Sequence, residues 1–141
     1  MNKERLKKLI YDLRITMNEI NHSIVLIEKY DSDKELVEEF SNSLKYKYLS
    51  LFIIYEEFIS MLLKEYNLYE IAMSIDSGLK KLNSRGYLTE KKYKFFNEAR
   101  IIRNRIGHRY KQPSIDVVIE FLRGSETIIN EIFTWINEYM K

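Results

Sequence analysis

Residues 3–30 read KERLKKLIYDLRITMNEINHSIVLIEKY, and within them Leu6, Leu9, Ile10, Leu13, Met17, Ile20, Ile24 and Ile27 return every three or four positions. Side chains that face one direction on a helix recur with a period of about 3.6, whereas a strand alternates with a period of two. The stretch therefore predicts one long helix, from about Lys3 to Tyr30, with a single apolar stripe turned toward a bundle core. With only four Gly and one Pro among 141 residues, little in the chain favours a turn-rich β fold. The expected fold class is all-α, an up-and-down helical bundle of about five helices in a single domain spanning residues 1–141.

Asp31-Ser32-Asp33 interrupts the first helix, and Ser32 with Glu35 has the spacing of a capping box that starts the second. That helix should run from about Asp33 to Tyr66. Near its middle, Tyr48, Leu49, Leu51, Phe52, Ile53, Ile54 and Tyr55 leave no polar side, so burial on more than one face is expected. Asn67 begins a connection to a shorter helix around Tyr69 to Leu82, carrying Ile71, Ala72, Ile75, Leu79 and Leu82 but interrupted by Gly78. Asn83-Ser84-Arg85-Gly86 is turn chemistry, and Thr89 is a good N-cap for a fourth helix from Glu90 to about Tyr110. Pro113 disfavours helical geometry at Gln112, and Ser114 can cap a fifth helix carrying Val118, Phe121, Leu122, Ser125, Ile128, Ile129, Ile132, Phe133 and Ile136. Trp135 and the many tyrosines read as packing groups, and His22 as a solvated or hydrogen-bonded structural histidine.

The absence of cysteine excludes a disulfide framework and thiolate metal sites, and the two histidines, His22 and His108, are far apart in sequence. No metal and no cofactor is expected. The longest apolar run, Leu51 to Tyr55, is far short of a membrane span, so a cytoplasmic chain without a membrane partner is expected. Charge is lopsided. From Lys80 to Lys111 eleven cations face two carboxylates, a local charge of about +9 that suits a phosphate backbone. Glu28, Asp31, Asp33, Glu35, Glu38 and Glu39 form an acidic counterpart that would repel nucleic acid and could dock a basic partner.

The densest chemistry lies in Arg103-Asn104-Arg105-Ile106-Gly107-His108-Arg109-Tyr110. On an ideal helix Arg103, Gly107, Asn104 and His108 share one arc, with Tyr110 close to the face of Arg103. The apolar Phe95, Ala99, Ile102 and Ile106 lie on the other side. The arc should thus face away from the helix's own core. Cations at Arg105, His108, Arg109 and Lys111 also suit a helix C-terminus, where the dipole and free carbonyls favour them. Gly107 costs a helix roughly 1 kcal/mol and is easiest to explain if a second backbone approaches there.

Arg103, Asn104, His108 and Tyr110 spell R-N-x-x-x-H-x-Y, which resembles the signature of HEPN-domain ribonucleases of the HepT toxin type. The resemblance covers this motif and the all-helical pattern around it. It implies a metal-independent endoribonuclease in which Arg103, Asn104 and His108 are catalytic and Arg100, Arg105, Arg109 and Lys111 bind RNA. Arginine offers a fork of donors that stays charged, and histidine moves protons near neutrality. Attack by a 2′-hydroxyl would confine the reaction to RNA. One histidine can hardly serve both proton transfers, and a two-fold homodimer through the fourth helix would supply a second. The resemblance further implies a cognate MNT-type nucleotidyltransferase antitoxin that neutralises the toxin by AMPylation of Tyr110. It also suggests that Glu56 or Glu57 sits beside the motif arginine instead of pointing to solvent or pairing with a lysine. The alternative is a non-catalytic helical partner that binds nucleotide or substrate for a nucleotidyltransferase.

Overall fold

The computed structural model describes residues 1–141 and contains six helices and no strand. They are α1 (Lys3–Lys29), α2 (Lys34–Glu65), α3 (Ile75–Ser84), α4 (Glu90–Ile106), α5 (Ile115–Gly124) and α6 (Glu126–Glu138). The apolar stripe of α1 is buried from Leu6 to Ile27, and the Asn2 side chain caps the helix by accepting from the Arg5 amide at 3.2 Å. At the start of α2, Asp33 and not Ser32 is the N-cap, accepting from the Leu36 amide at 3.2 Å. The N-cap is therefore shifted by one residue and the expected capping box does not form, since Leu36 stands where a Glu or Gln would have to reach back; an acidic side chain does the hydroxyl's work at the positive end of the helix dipole.

α1 and α2 form an antiparallel pair. The N-terminal ammonium meets Glu65 at 2.6 Å, Arg5 meets Glu57 at 2.9 Å, and Lys47 donates to the Ser23 hydroxyl at 2.8 Å. α2 is the central helix. Beyond α1 it also touches α3, α4 and α5, and its Phe58 ring meets Trp135 and Tyr139 of the α6 end edge-on. Tyr48, Leu51, Phe52, Tyr55, Phe58, Ile59 and Leu62 are all buried, and enclosing each such side chain contributes about 2–3 kcal/mol. The apolar middle of α2 is not closed all round, however. Ile53 projects from it at 58% exposure and Leu49 is half-buried.

α2 ends in a Schellman motif. Asn67 takes a left-handed φ of 58°, the Leu68 amide donates to the Leu63 carbonyl at 2.7 Å, and the Asn67 amide donates to Lys64 at 3.2 Å. The expected helix start at Tyr69 is then corrected to Ile75. Ala72 is also left-handed, with φ 62°, and Ile71 is 93% exposed. The Ser74 hydroxyl caps α3 by accepting from the Ser77 amide at 3.1 Å. Gly78 does not interrupt α3. It is buried where α3 meets α2, and a Cβ there would lie 2.8 Å from Leu63 Cδ1.

Thr89 caps α4 as expected, accepting from the Lys92 amide at 3.3 Å. The expected fifth helix divides at Gly124-Ser125 into α5 and α6, a pair of residues that favours kinks because neither holds the helix well. Ser114 stands at the N-cap of α5 with extended backbone but no side-chain hydrogen bond. No helix is long and apolar enough to cross a membrane.

Candidate functional site

α4 lies antiparallel to α2, and two buried contacts set its register. The Tyr48 hydroxyl donates to the Ala99 carbonyl at 2.7 Å, one turn before Arg103, and Tyr55 meets Phe95 and Phe96 edge-on. Phe95, Phe96, Ala99, Ile102 and Ile106 bury the inner face of the helix. The opposite arc carries Asn104 and Arg105 to solvent, as the apolar spacing requires.

Arg103 stands at the boundary of the two faces. Its Nη2 lies 3.3 Å from Glu56 Oε1, its guanidinium sits 5.7 Å from the centre of the Phe52 ring, and Nη1 reaches Asn104 Oδ1 at 3.5 Å. Glu56 Oε1 is itself withdrawn from solvent and accepts no well-aligned hydrogen bond, so the charge attraction is its main tie to Arg103. Glu57, the neighbouring carboxylate, points elsewhere and pairs with Arg5 of α1. Glu56 is thus the carboxylate beside the motif arginine, held one helical turn beyond Phe52.

The helix does not continue to Tyr110. It stops at Ile106 with Gly107 as C-cap, the Gly107 amide donating to the Arg103 carbonyl at 3.1 Å. His108 and Tyr110 therefore leave the ideal-helix arc and occupy a turn closed by the Lys111 amide on the His108 carbonyl at 3.0 Å. Gly107 has an ordinary right-handed backbone, φ −71°, and a Cβ there would meet only the Asn104 and Arg103 carbonyls at 3.6 and 3.7 Å. Nothing in its own chain crowds it. Asn104 makes no hydrogen bond to His108, and its side-chain oxygen faces Arg103 instead.

Arg103, Asn104, Gly107 and His108 nevertheless line one shallow open groove, with Leu49 of α2 as its apolar wall. Tyr110 is outside this lining, 90% exposed, with the Arg109 guanidinium 5.9 Å from its ring centre. Arg105, Arg109 and Lys111 are exposed at the same end of the molecule and pair with no carboxylate. Arg100 differs. Its Nη2 lies 3.6 Å from Asp76 of α3, and its side chain is only 24% exposed with Nε enclosed and unpartnered, so it ties α3 to α4. The basic stretch is also partly neutralised elsewhere: Lys80 pairs with Asp76, Lys81 with Glu70 and Lys91 with Glu131. Of the six cations left without a carboxylate, Arg85, Lys92 and Lys94 lie elsewhere, whereas Arg105, Arg109 and Lys111 cluster at the end of α4.

Leu49, Phe52 and Gln112 were not singled out as site residues by the sequence. Leu49 and Phe52 stand three residues apart on α2, and Phe52 lies one turn before Glu56, which places them beside that carboxylate. Gln112 carries no such signal; its side-chain amide donates to the Ile106 carbonyl at the end of α4. No protein-family model, curated protein or solved structure matches the chain.

Proposed function

We propose that the chain is a metal-independent endoribonuclease of the HEPN class, the toxin half of a toxin–antitoxin pair. The observation that carries this reading is Arg103 held by Glu56 and Phe52 on the wall of the groove that His108 also lines. An anchored guanidinium is prepared for a phosphate without reorganising, and a solvated imidazole beside it can move a proton at neutral pH. In the proposed reaction the 2′-oxygen attacks the adjacent phosphorus, giving up its proton to one imidazole. The P–O5′ bond breaks, and the 5′-oxygen takes a proton from a second imidazole. The products are a 2′,3′-cyclic phosphate and a free 5′-hydroxyl.

The second imidazole is His108 of another copy in a two-fold dimer. Three features support an isologous contact beside the groove. Tyr46, Leu49 and Ile53 form an i, i+3, i+7 apolar row on α2, with Tyr46 and Ile53 well exposed. Ile101, 52% exposed, stands one turn before Asn104 and Arg105 on α4. The open space at Gly107 leaves room for a second backbone. The unpaired Arg105, Arg109 and Lys111 serve the flanking phosphates, with Arg100 held back as a structural tie. Tyr110, fully presented to solvent, is the acceptor through which a nucleotidyltransferase antitoxin transfers AMP. Its phenolic oxygen attacks the α-phosphorus of ATP, its proton passes to a base of the transferring enzyme and diphosphate leaves, setting negative charge beside the basic cluster.

The test uses purified wild type, Arg103→Ala and His108→Ala proteins on a structured RNA, alone and mixed to form heterodimers. Each single variant should lose at least about a hundredfold in cleavage. A His108→Ala homodimer cutting at the wild-type rate ends the proposal. Unchanged RNA integrity with every protein, wild type included, would leave a binding or adaptor bundle in its place.

A further inference from the structure

The place of His108 must be set by its backbone, because no hydrogen bond or ion pair holds its ring. Beyond Ile106 the chain runs exposed through Gly107, His108, Arg109, Tyr110 and Lys111 before Pro113 returns to the interior. Such a span of small, charged and polar residues has little burial to order it and is expected to open locally at low cost. Three hydrogen bonds oppose this. The His108 amide donates to the Arg105 carbonyl at 3.1 Å, the Lys111 amide donates to the His108 carbonyl at 3.0 Å, and the Gln112 side chain donates to the Ile106 carbonyl.

The third bond differs from the others because it closes the span. The last carbonyls of a helix lack intrahelical donors. Gly107 does not adopt the left-handed geometry by which Asn67 and Gly86 end α2 and α3. Here a side chain six residues on supplies the donor, drawing both ends of the turn together. Pro113, buried just beyond, disfavours helical geometry at Gln112 and anchors it from the far side.

We infer that Gln112 is a positioning residue: its amide clamp on the Ile106 carbonyl holds the His108–Lys111 turn closed and so keeps the imidazole at the groove that Arg103 lines. The catalytic part of this inference rests on the ribonuclease reading, whereas the clamp itself does not. Arg103 is fixed by α2 and α4 and is independent of the clamp. Losing Gln112 should therefore impair the proton-transfer step while Arg103 still grips the phosphate, with only the flanking contacts of Arg109 and Lys111, carried on the same turn, weakened.

The experiment compares wild type with Gln112→Leu, which keeps bulk but not the donor, and Gln112→Lys, which restores a donor of similar reach. Backbone hydrogen exchange is followed at His108 and Lys111, and kcat and KM are measured on RNA. In Gln112→Leu both amides should exchange about tenfold faster, with kcat about tenfold lower, KM raised by a smaller factor through Arg109 and Lys111 on the same turn, and exchange in α1 and α2 unaltered. Gln112→Lys should restore exchange and kcat together. Wild-type protection of both amides in Gln112→Leu overturns the clamp. So does a failure of Gln112→Lys to recover what Gln112→Leu loses. A lost kcat without faster exchange overturns the positioning role. If wild type cuts no RNA while the exchange pattern appears as described, the clamp stands and only the ribonuclease reading falls.

Discussion

Two buried phenols on α2, seven residues apart, should respond oppositely to the same deletion. Tyr48 donates to the Ala99 carbonyl at 2.7 Å, whereas the hydroxyl of Tyr55 is buried and has no hydrogen-bond partner. Tyr48→Phe removes a buried hydrogen bond but strands nothing, because the Ala99 carbonyl remains within the α4 ladder. Its cost is about 1 kcal/mol. Tyr55→Phe removes a desolvated hydroxyl that gains nothing in the fold, while its ring keeps the edge contacts to Phe95 and Phe96 at 5.9 and 5.3 Å. Stability should rise by about 1 kcal/mol. At this chain length the gap of about 2 kcal/mol corresponds to melting temperatures roughly 6 °C apart, with wild type between them. Thermal and urea unfolding, followed by circular dichroism with m-values compared, provide the assay. A Tyr55→Phe protein melting as far below wild type as Tyr48→Phe refutes the reasoning, and would mean that the Tyr55 hydroxyl has a partner in solution.

Burial holds the phenols of Tyr48, Tyr55 and Tyr139 well above the usual tyrosine range. Below pH 10 folded and unfolded chains carry the same protons there; above it only the unfolded chain releases them. Stability should then fall with pH by about 1.4 kcal/mol per unit for each of the two phenols on α2. Phenolate absorbance should show three of the eleven tyrosines ionising only as the helical signal is lost; full titration of a still-folded chain would contradict this. Ala72 is exposed with φ 62°. Ala72→Gly should raise stability by about 0.5–1 kcal/mol and Ala72→Val should lower it, read by melting temperature. Glu56→Gln should reduce RNA cleavage about tenfold by loosening Arg103, a drop in line with losing a supporting partner. Glu57→Gln should leave cleavage unchanged; equal losses in the two variants would remove the special role of Glu56.

The helices were legible where one physical signal dominated. The stripe of α1 is written in its period, Thr89 and Asn67 mark a start and a stop through ordinary cap chemistry, and α4 displays its buried face at Phe95, Ala99, Ile102 and Ile106. Misread boundaries fell where weak terms competed. An apolar Ile71 belongs to an exposed loop because Asn67 and Ala72 turn the backbone left-handed before a helix can begin. Gly78 reads as a breaker but marks the close approach of α3 to α2. Gly107 penalises helix by only about 1 kcal/mol, too little to fix an end from sequence, and the decisive Gln112 donor follows no standard cap spacing. The motif residues Arg103, Asn104 and His108 do meet at one groove. Which of Glu56 and Glu57 joined them could not be read without knowing where α4 lies against α2.

The early end of α4 divides the motif into two mechanical parts. Arg103 lies within a helix, braced by a charge, a ring and an amide from Glu56, Phe52 and Asn104. His108 rides on a short turn with its ring untethered. A group that grips phosphate benefits from rigidity, since any reorganisation in the transition state weakens its electrostatic contribution. A group that both takes and gives protons must reach solvent and be free to turn between donor and acceptor, which a buried, fully bonded imidazole could not. Had α4 continued to Tyr110, His108 would have stayed on the same outward arc but been fixed by the same ladder as Arg103. Ending the helix at Gly107 leaves the imidazole lining the arginine's groove on a looser support and presents Tyr110 to solvent. On the proposed reading, the glycine thus serves the geometry of the site by stopping the helix before His108, whether or not a second backbone also approaches it.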